Sequence, residues 1–378
     1  MRILFNWYYY RPDLTRHILE IGSGHHIFFI DRYAHDELHV DGAELLYWGD
    51  YPTPYALLDA VRPDKVVFSD IESFPQVALN IAARNLGIPT IVLQHGSQTA
   101  LLVDLASDQA RLPAVSKSSL HTMRFLASAL RWRNRGFALK LAKFILDRKR
   151  FPLVTALRRN PGYFRWADHY VEFSSENARY FKLRDRVPED RFIYIGNPAY
   201  DELFQRAQSY TVQDYALLID APFLEAGDFA YGRISADDKA TYLEKLDRAF
   251  ASKSMPLRVK LHPLSYEAEL PNLANTQYVR DTDIARLAGE AKVVISVHFS
   301  TMSAPLLHLK PFYAFASGVT PETPFLDEGS VHDLLRFNPF ELGEPRKPLP
   351  WETVQHYLYS IDGRSSARLK RILFDAGP

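Results

Sequence analysis

Imidazole, carboxylate and hydroxyl side chains recur in this sequence at one kind of place, just past a short apolar run. Gln94-His95-Gly96-Ser97 directly follows Thr90–Leu93. Imidazole titrates near neutrality and suits general-base work, and a neighbouring glycine lets a substrate approach the backbone closely. The competing reading is a histidine that caps the next turn. Ser69-Asp70-Ile71-Glu72 follows Lys65–Phe68. Its two carboxylates could orient His95 or act as the base themselves. Alternatively, Asp70 or Ser73 caps the helix that comes next.

Two further segments suit anions, and two more read as a helix cap and a cleft-floor turn. In Lys260-Leu261-His262-Pro263, strand alternation puts Lys260 and His262 on one side. Both can donate to phosphate, and Pro263 ends the strand; a purely structural His–Pro turn would look the same. His298-Phe299-Ser300-Thr301 stands just before a helical pattern. Its hydroxyls and amides would form an anion site at a helix N-terminus, which is compatible with capping by Ser300 or Thr301. Phe173-Ser174-Ser175-Glu176 offers a helix cap, and Gly196-Asn197-Pro198 reads as a tight turn suited to a cleft floor or hinge. Two other patterns carry less. Gly22-Ser23-Gly24 precedes a strand, so it lacks the context of a dinucleotide-binding loop. Asp281-Thr282-Asp283 has metal-ligand spacing but reads as an N-cap, and no metal is expected.

The elements that must hold these segments alternate. Strands are expected at Arg2–Trp7, His26–Ile30, Leu45–Trp48, Lys65–Ser69, Thr90–Leu93, His169–Phe173 and Phe192–Ile195. A second series covers Ala216–Asp220, Leu257–Leu261, Val293–Ser296 and Phe312–Phe315. Helical spacing lies between them at Pro75–Leu86, Glu176–Leu183, Asp237–Ser252, Asp283–Ala291 and Met302–Leu309, and again in the tail Trp351–Phe374. Strand–helix–strand units of this length define parallel α/β sheets, whose ligands bind beyond the carboxyl ends of the strands. Two α/β domains follow, 1–205 and 210–350, with a helical tail at 351–378.

Composition narrows the chemistry. The 378 residues include no cysteine, which excludes disulfides, zinc–thiolate sites, iron–sulfur clusters and cysteine nucleophiles. Neither HExxH, GxSxG nor GxxxxGK[ST] occurs. The start, Met1–Trp7, has no basic stretch leading into a long apolar one, so no signal peptide is expected, and no apolar run is long enough for a transmembrane helix. The 45 Lys and Arg balance 45 Asp and Glu, but the balance is a cancellation. Residues 111–165 hold 14 Lys and Arg against one acid, Asp147. Helical apolar spacing runs through Ser119–Arg150 within them. A basic amphipathic insertion reads as a contact for an anionic membrane surface, an anionic ligand or nucleic acid; a solvated helical hairpin with its apolar face in the core is the alternative. No RNA-recognition motif accompanies the charge, and no nucleic-acid partner is expected.

Taken in order, strand-QHGS, SSE…IGNPAYDEL, VKLHP and VVISVHFSTMSAPLLHLKPFYAF resemble two-domain GT-B glycosyltransferases of bacterial surface polysaccharides. Among these are polysialyltransferases, Kdo transferases and teichoic-acid glycerophosphotransferases. The resemblance covers most of residues 65–315. It implies a GT-B-like fold, two Rossmann-like domains facing a cleft, with the basic helical insertion in the first. It implies that His262-Pro263 and Ser300-Thr301 hold donor phosphates in the second domain, and Lys260, His298, Ser174, Ser175 and Asn197 are expected to join them in binding the donor. His95-Gly96, with Ser97 in the same loop, would carry the base on the acceptor side. Two departures stand out: Val297-His298-Phe299 occupies the place where an Asp often precedes the Ser/Thr pair, and Asp70 and Glu72 only loosely match the acidic motif of sialyltransferases. The expected partners are a nucleotide-sugar donor, CMP-linked by preference, and a glycan or glycolipid acceptor. No cofactor is expected. The expected place is the cytoplasm, peripheral on the inner face of the plasma membrane. The rivals are a UDP-GlcNAc 2-epimerase-like enzyme, which GNPAYDEL also resembles, and a non-catalytic binder of membrane or RNA.

Overall fold

A computed structural model describes residues 1–7, 12–31, 39–94, 120–130, 135–220, 235–262, 265–280, 283–297, 303–316 and 331–375. The chain divides into two compact units, Met1–Ile195 with Ser365–Pro378, and Gly196–Arg364.

The first unit runs β1 (Arg2–Asn6), α1 (Pro12–Ile21), β2 (His26–Asp31), β3 (Ala43–Tyr47), α2 (Pro54–Val61), β4 (Lys65–Phe68), α3 (Phe74–Asn85) and β5 (Thr90–Leu93). It continues with α4 (Leu120–Ser128), α5 (Arg135–Arg150), α6 (Leu153–Arg159), β6 (His169–Glu172), α7 (Ser175–Asp185) and β7 (Phe192–Tyr194). All seven strands are parallel, in the order β3-β2-β1-β4-β5-β6-β7. Alternation along each strand feeds two cores. Leu4, Phe28, Val66, Phe68, Val92 and Tyr170 face one side, with α2, α3 and the helices of the basic segment. Ile3, Phe5, Ile27, Val67, Ile91 and Val171 face the other.

The second unit runs α8 (Pro198–Ala207), β8 (Ala216–Ile219), α9 (Ala236–Ala251), β9 (Leu257–Lys260), β10 (Thr276–Val279) and α10 (Ile284–Glu290). Then follow β11 (Val293–Ser296), α11 (Ser303–Leu309), β12 (Phe312–Ala316), β13 (His332–Asp333) and α12 (Trp351–Leu358). Its six parallel strands are ordered β10-β9-β8-β11-β12-β13. Both sheets therefore share one doubly wound plan. The chain reverses its direction of growth between β1 and β4 in the first and between β8 and β11 in the second, and such switch points receive ligands.

The units differ from the expected 1–205, 210–350 and 351–378. The boundary falls at Ile195, because α8 belongs to the second unit. Its Leu203 packs with Ala285, Leu287 and Leu306, and its Tyr200 and Phe204 pack with Val354 and Leu358 of α12. The Gly-Asn-Pro turn is the start of this helix: Asn197 caps it and Pro198 opens it. The tail is split as well. The last helix, α13 (Ser365–Phe374), returns to the first unit, where Leu369, Leu373 and Phe374 join Ile3, Phe5 and Ile91. Lys65 Nζ donates to the carbonyls of Ile372 at 2.7 Å and Asp375 at 3.0 Å. Each such buried Leu or Phe contributes roughly 1.5–3 kcal/mol.

The expected helical pattern over Ser119–Arg150 appears, among the described residues, as α4 and α5. Phe125, Leu126, Leu141 and Phe144 enter the first core, as the hairpin alternative required. Part of the positive charge is neutralised at home. Asp147 accepts from Lys143 Nζ at 2.9 Å and Asn160 Nδ2 at 2.9 Å, and Arg165 is buried on Asp185. The outer face of α5 is different. Leu139 is 82% exposed and Leu146 44% exposed, beside exposed Lys140, Lys149 and Arg150.

Candidate functional site

At the first switch point, a polar belt crosses the carboxyl ends of the strands. Asn6 ends β1 and donates through Nδ2 to Ile30 O at 3.1 Å. Its Oδ1 accepts from Gln76 Nε2 at 2.7 Å. The other end of that amide, Gln76 Oε1, accepts from the backbone N–H of Glu72 at 3.1 Å and of Ser73 at 2.8 Å. Ser73 caps α3 in a full capping box with Gln76. Asp70 is therefore relieved of capping. Burial, then the charge of Glu72, push the Asp70 carboxyl up to about 7, against the pull of Arg184. A carboxyl poised there can exchange protons at physiological pH.

Glu72 is committed to Arg184 of α7 through a direct ion pair. The Arg184 guanidinium also binds Asp185 Oδ2, at 3.0 Å from Nε and 2.6 Å from Nη2, and Tyr180 Oη at 2.7 Å. Arg165 holds the other oxygen of Asp185 at 2.5 Å. Burial opposes ionisation of Asp185, but Arg165 and Arg184 outweigh it and keep the carboxyl below its usual range. Held in this buried network, Glu72 is suited to fix the electrostatics around Asp70.

Gln94 sits at the end of β5 and is buried. Its N–H donates to Val171 O at 3.0 Å. Its Oε1 accepts from Phe173 N at 2.6 Å and its Nε2 donates to Asn177 Oδ1 at 2.7 Å. Asn177 Nδ2 donates in turn to Ser174 Oγ at 2.8 Å. The residue before His95 is thus clamped at both backbone and side chain. His95, Gly96 and Ser97 themselves lie outside the described residues. Ser174 caps α7 and Ser175 is its first residue. Next to this clamp, Glu172 ends β6 with a fully buried carboxyl whose two oxygens have no hydrogen-bond partner among the described residues. Burial raises it well above the usual carboxylate range, and Arg184 offsets this only in part.

At the second switch point, Leu257, Val259 and Leu261 point into the core. Alternation leaves Lys260 and His262 together on the opposite side, both half-buried. Asp220 follows β8, and its N–H donates to Lys260 O at 2.9 Å. Its carboxylate accepts the N–H of His262 at 3.3 Å and pairs with Lys239 of α9 at 3.2 Å. Pro263, His298, Ser300 and Thr301 lie outside the described residues. Asn197 is buried and accepts from Ala199 N at 3.0 Å as the cap of α8. Asp283 caps α10 and binds Arg206 at 2.6 Å. Among the described residues no group of acids and histidines could hold a metal.

The structure has Asp70, Lys260 and His262 at or just past the ends of β4 and β9, where the strand-end rule puts them. That rule did not single out the clamp around Gln94, nor Glu172, Asp220 and Lys239. Asp220 carried a signal, a charge closing the buried run ALLI, but Lys239 lies 19 residues on and looks like any polar residue of a helix.

No model of a known protein family matches the sequence, and no curated protein matches it. Among solved structures, the chain is similar to the wall teichoic acid polymerase TagF. The identity is 16% and the TM-score 0.50, covering 98% of this chain and 88% of that one. A point variant of TagF gives 15% identity and a TM-score of 0.51 over the same shares. WaaG, a glycosyltransferase involved in lipopolysaccharide biosynthesis, gives 13% and 0.47, covering 99% of this chain and 100% of that one. The likeness to TagF agrees with the two sheets: the fold is GT-B-like, with two Rossmann-like units in one chain.

Proposed function

We propose that this protein is a GT-B glycosyltransferase. It moves a sugar from a nucleotide-activated donor, CMP-linked by preference, to a bacterial surface glycan or lipid-linked acceptor. The observation that supports this most is that charged side chains gather where each sheet reverses its strand order: Asp70 and Glu72 at one, Asp220, Lys260 and His262 at the other.

In this reading, Lys260, His262, Ser300 and Thr301 hold the donor phosphate and offset the charge growing on the leaving nucleotide. The acceptor oxygen attacks the anomeric carbon as the bond to phosphate breaks, and the nucleotide leaves with that bonding pair. The acceptor proton passes to His95 or to Asp70, the carboxyl poised near neutrality. One displacement inverts the anomeric centre. The transfer runs without metal or cofactor, so chelation with EDTA leaves the rate unchanged.

A thermal-shift panel of CMP, CDP, UDP and GDP tests the donor class. A nucleotide at one hundred times its Kd stabilises by about 2.7 kcal/mol. CMP or CDP is expected to shift the melting temperature most. Failure of all four would sink the reading, and epimerisation of UDP-GlcNAc with no acceptor present would replace transfer by the epimerase. The outer face of α5, with Leu139 and Leu146 among cations, suits a peripheral seat on an anionic cytoplasmic bilayer. No described helix is long and apolar enough to cross a membrane.

A further inference from the structure

We infer that Asp220 and Lys239 are positioning residues for donor binding. They fasten the chain on both sides of positions 263–264 to one buried ion pair and so set where His262 meets the donor phosphate. This rests on the transferase reading above. The geometry is local to the second unit. Asp220 Oδ2 accepts from the N–H of His262 at 3.3 Å and from Lys239 Nζ at 3.3 Å, while Oδ1 lies 3.2 Å from Nζ. Lys239 Nζ also donates to Ser265 Oγ at 3.2 Å. The N–H of Ser265 donates to His262 O at 2.8 Å. Asp220, Lys239 and Ser265 are all buried.

Stability alone does not account for this pair. An apolar pair of the same volume commonly serves a fold as well as a buried ion pair or better, because both charges must leave water. What an apolar pair lacks is an acceptor for the His262 amide and a donor for Ser265. The pair also stands at the switch point between β8 and β11, where a doubly wound sheet receives its ligand.

The test compares two double variants that both remove the buried charges. Asp220→Asn with Lys239→Met keeps a carbonyl oxygen for the His262 amide. Asp220→Leu with Lys239→Met removes it. Calorimetric titration with CMP and CDP is run on each and on the wild type. A displaced binding group costs catalysis and binding steeply. The Leu/Met pair is therefore expected to bind the nucleotide about tenfold more weakly or worse, and the Asn/Met pair within about threefold of wild type. Equal affinity in all three would overturn the inference while leaving the transferase reading intact. A wild type that binds none of CMP, CDP, UDP and GDP would end both; one that binds only UDP or GDP moves the same comparison to that nucleotide. If the Leu/Met pair fails to fold by circular dichroism, Ser265→Ala decides. It leaves the ion pair in place and is expected to weaken binding about threefold; unchanged binding there rejects the role.

Discussion

Arg184 of α7 and Glu72 of the loop after β4 are paired across the first unit, and the guanidinium that Glu72 meets is shared with Asp185 and Tyr180. The arginine is 1% exposed and the glutamate 21%. Arg184→Met would leave Asp185 buried against Arg165 alone and free Glu72 from its partner. A loss of about 3–5 kcal/mol is expected in urea unfolding. Glu72→Gln, which keeps an acceptor at a partly exposed position, is expected to cost about 1 kcal/mol. Equal losses would show that the network does not center on the arginine.

Asp70 links stability to pH. Its carboxyl titrates at about 7 in the folded chain against an ordinary 3.8. Between those values the folded chain keeps a proton that the unfolded chain has released. Its contribution is therefore intact below about pH 4 and lost as pH rises through 7. Asp70→Asn is expected to stabilise the protein by roughly 1–3 kcal/mol at pH 8, a gain that shrinks toward pH 4. Transfer activity is expected to fall about 100-fold in the same variant. Melting curves across this range check the first; a pH-independent difference would contradict it.

Glu172 is a buried acid without a partner among the described residues. An apolar side chain of similar shape removes that burden. Glu172→Met is expected to raise stability by about 1–3 kcal/mol at pH 8. Because burial raises this carboxyl, the gain grows with pH. A destabilised variant would mean that the acid has a role the folded chain depends on.

The two histidines separate chemistry from binding. His95→Ala is expected to lower kcat by about 100-fold to 10,000-fold with donor affinity little changed. His262→Ala is expected to weaken CMP or CDP binding about tenfold. If activity and affinity survive both changes, the site is elsewhere; a protein that shows no transfer activity in any form makes a binding protein the better account.

The exposed leucines of α5 give the membrane reading its own test. Wild-type protein should float with vesicles containing phosphatidylserine at low salt and release as salt rises. Leu139→Asp with Leu146→Asp should weaken that binding about tenfold or more. Because both side chains are already in solvent, the fold should be unaffected.

Much of the architecture could be read from apolar runs. Strands such as KVVF and VVIS are buried on both faces, so their composition announces them. Two edge strands escaped. Thr276–Val279 (TQYV) is half polar, and His332–Asp333 is two exposed residues with no pattern to show. The helix α8 escaped because Gly196, at φ +75°, with Asn197 and Pro198 punctuates the chain as a turn would. The placement of a candidate residue was legible where its position on a strand sufficed, as for Asp70 and His262. It was illegible where the placement depends on a partner from another element. Arg184 and Asp185 look like helix surface in sequence yet are buried. The Asp220–Lys239 contact joins two elements whose meeting no local spacing encodes.

The return of α13 sets an order of assembly. The Gly196–Arg364 unit is, topologically, a domain inserted into the first. During synthesis it can complete its own sheet while Ile3, Phe5 and Ile91 still await Leu369, Leu373 and Phe374. Lys65 likewise waits for carbonyls that emerge more than 300 residues later. The core of the first unit, begun first, is closed last, and a chain cut short before Ser365 would leave a greasy face open to aggregation.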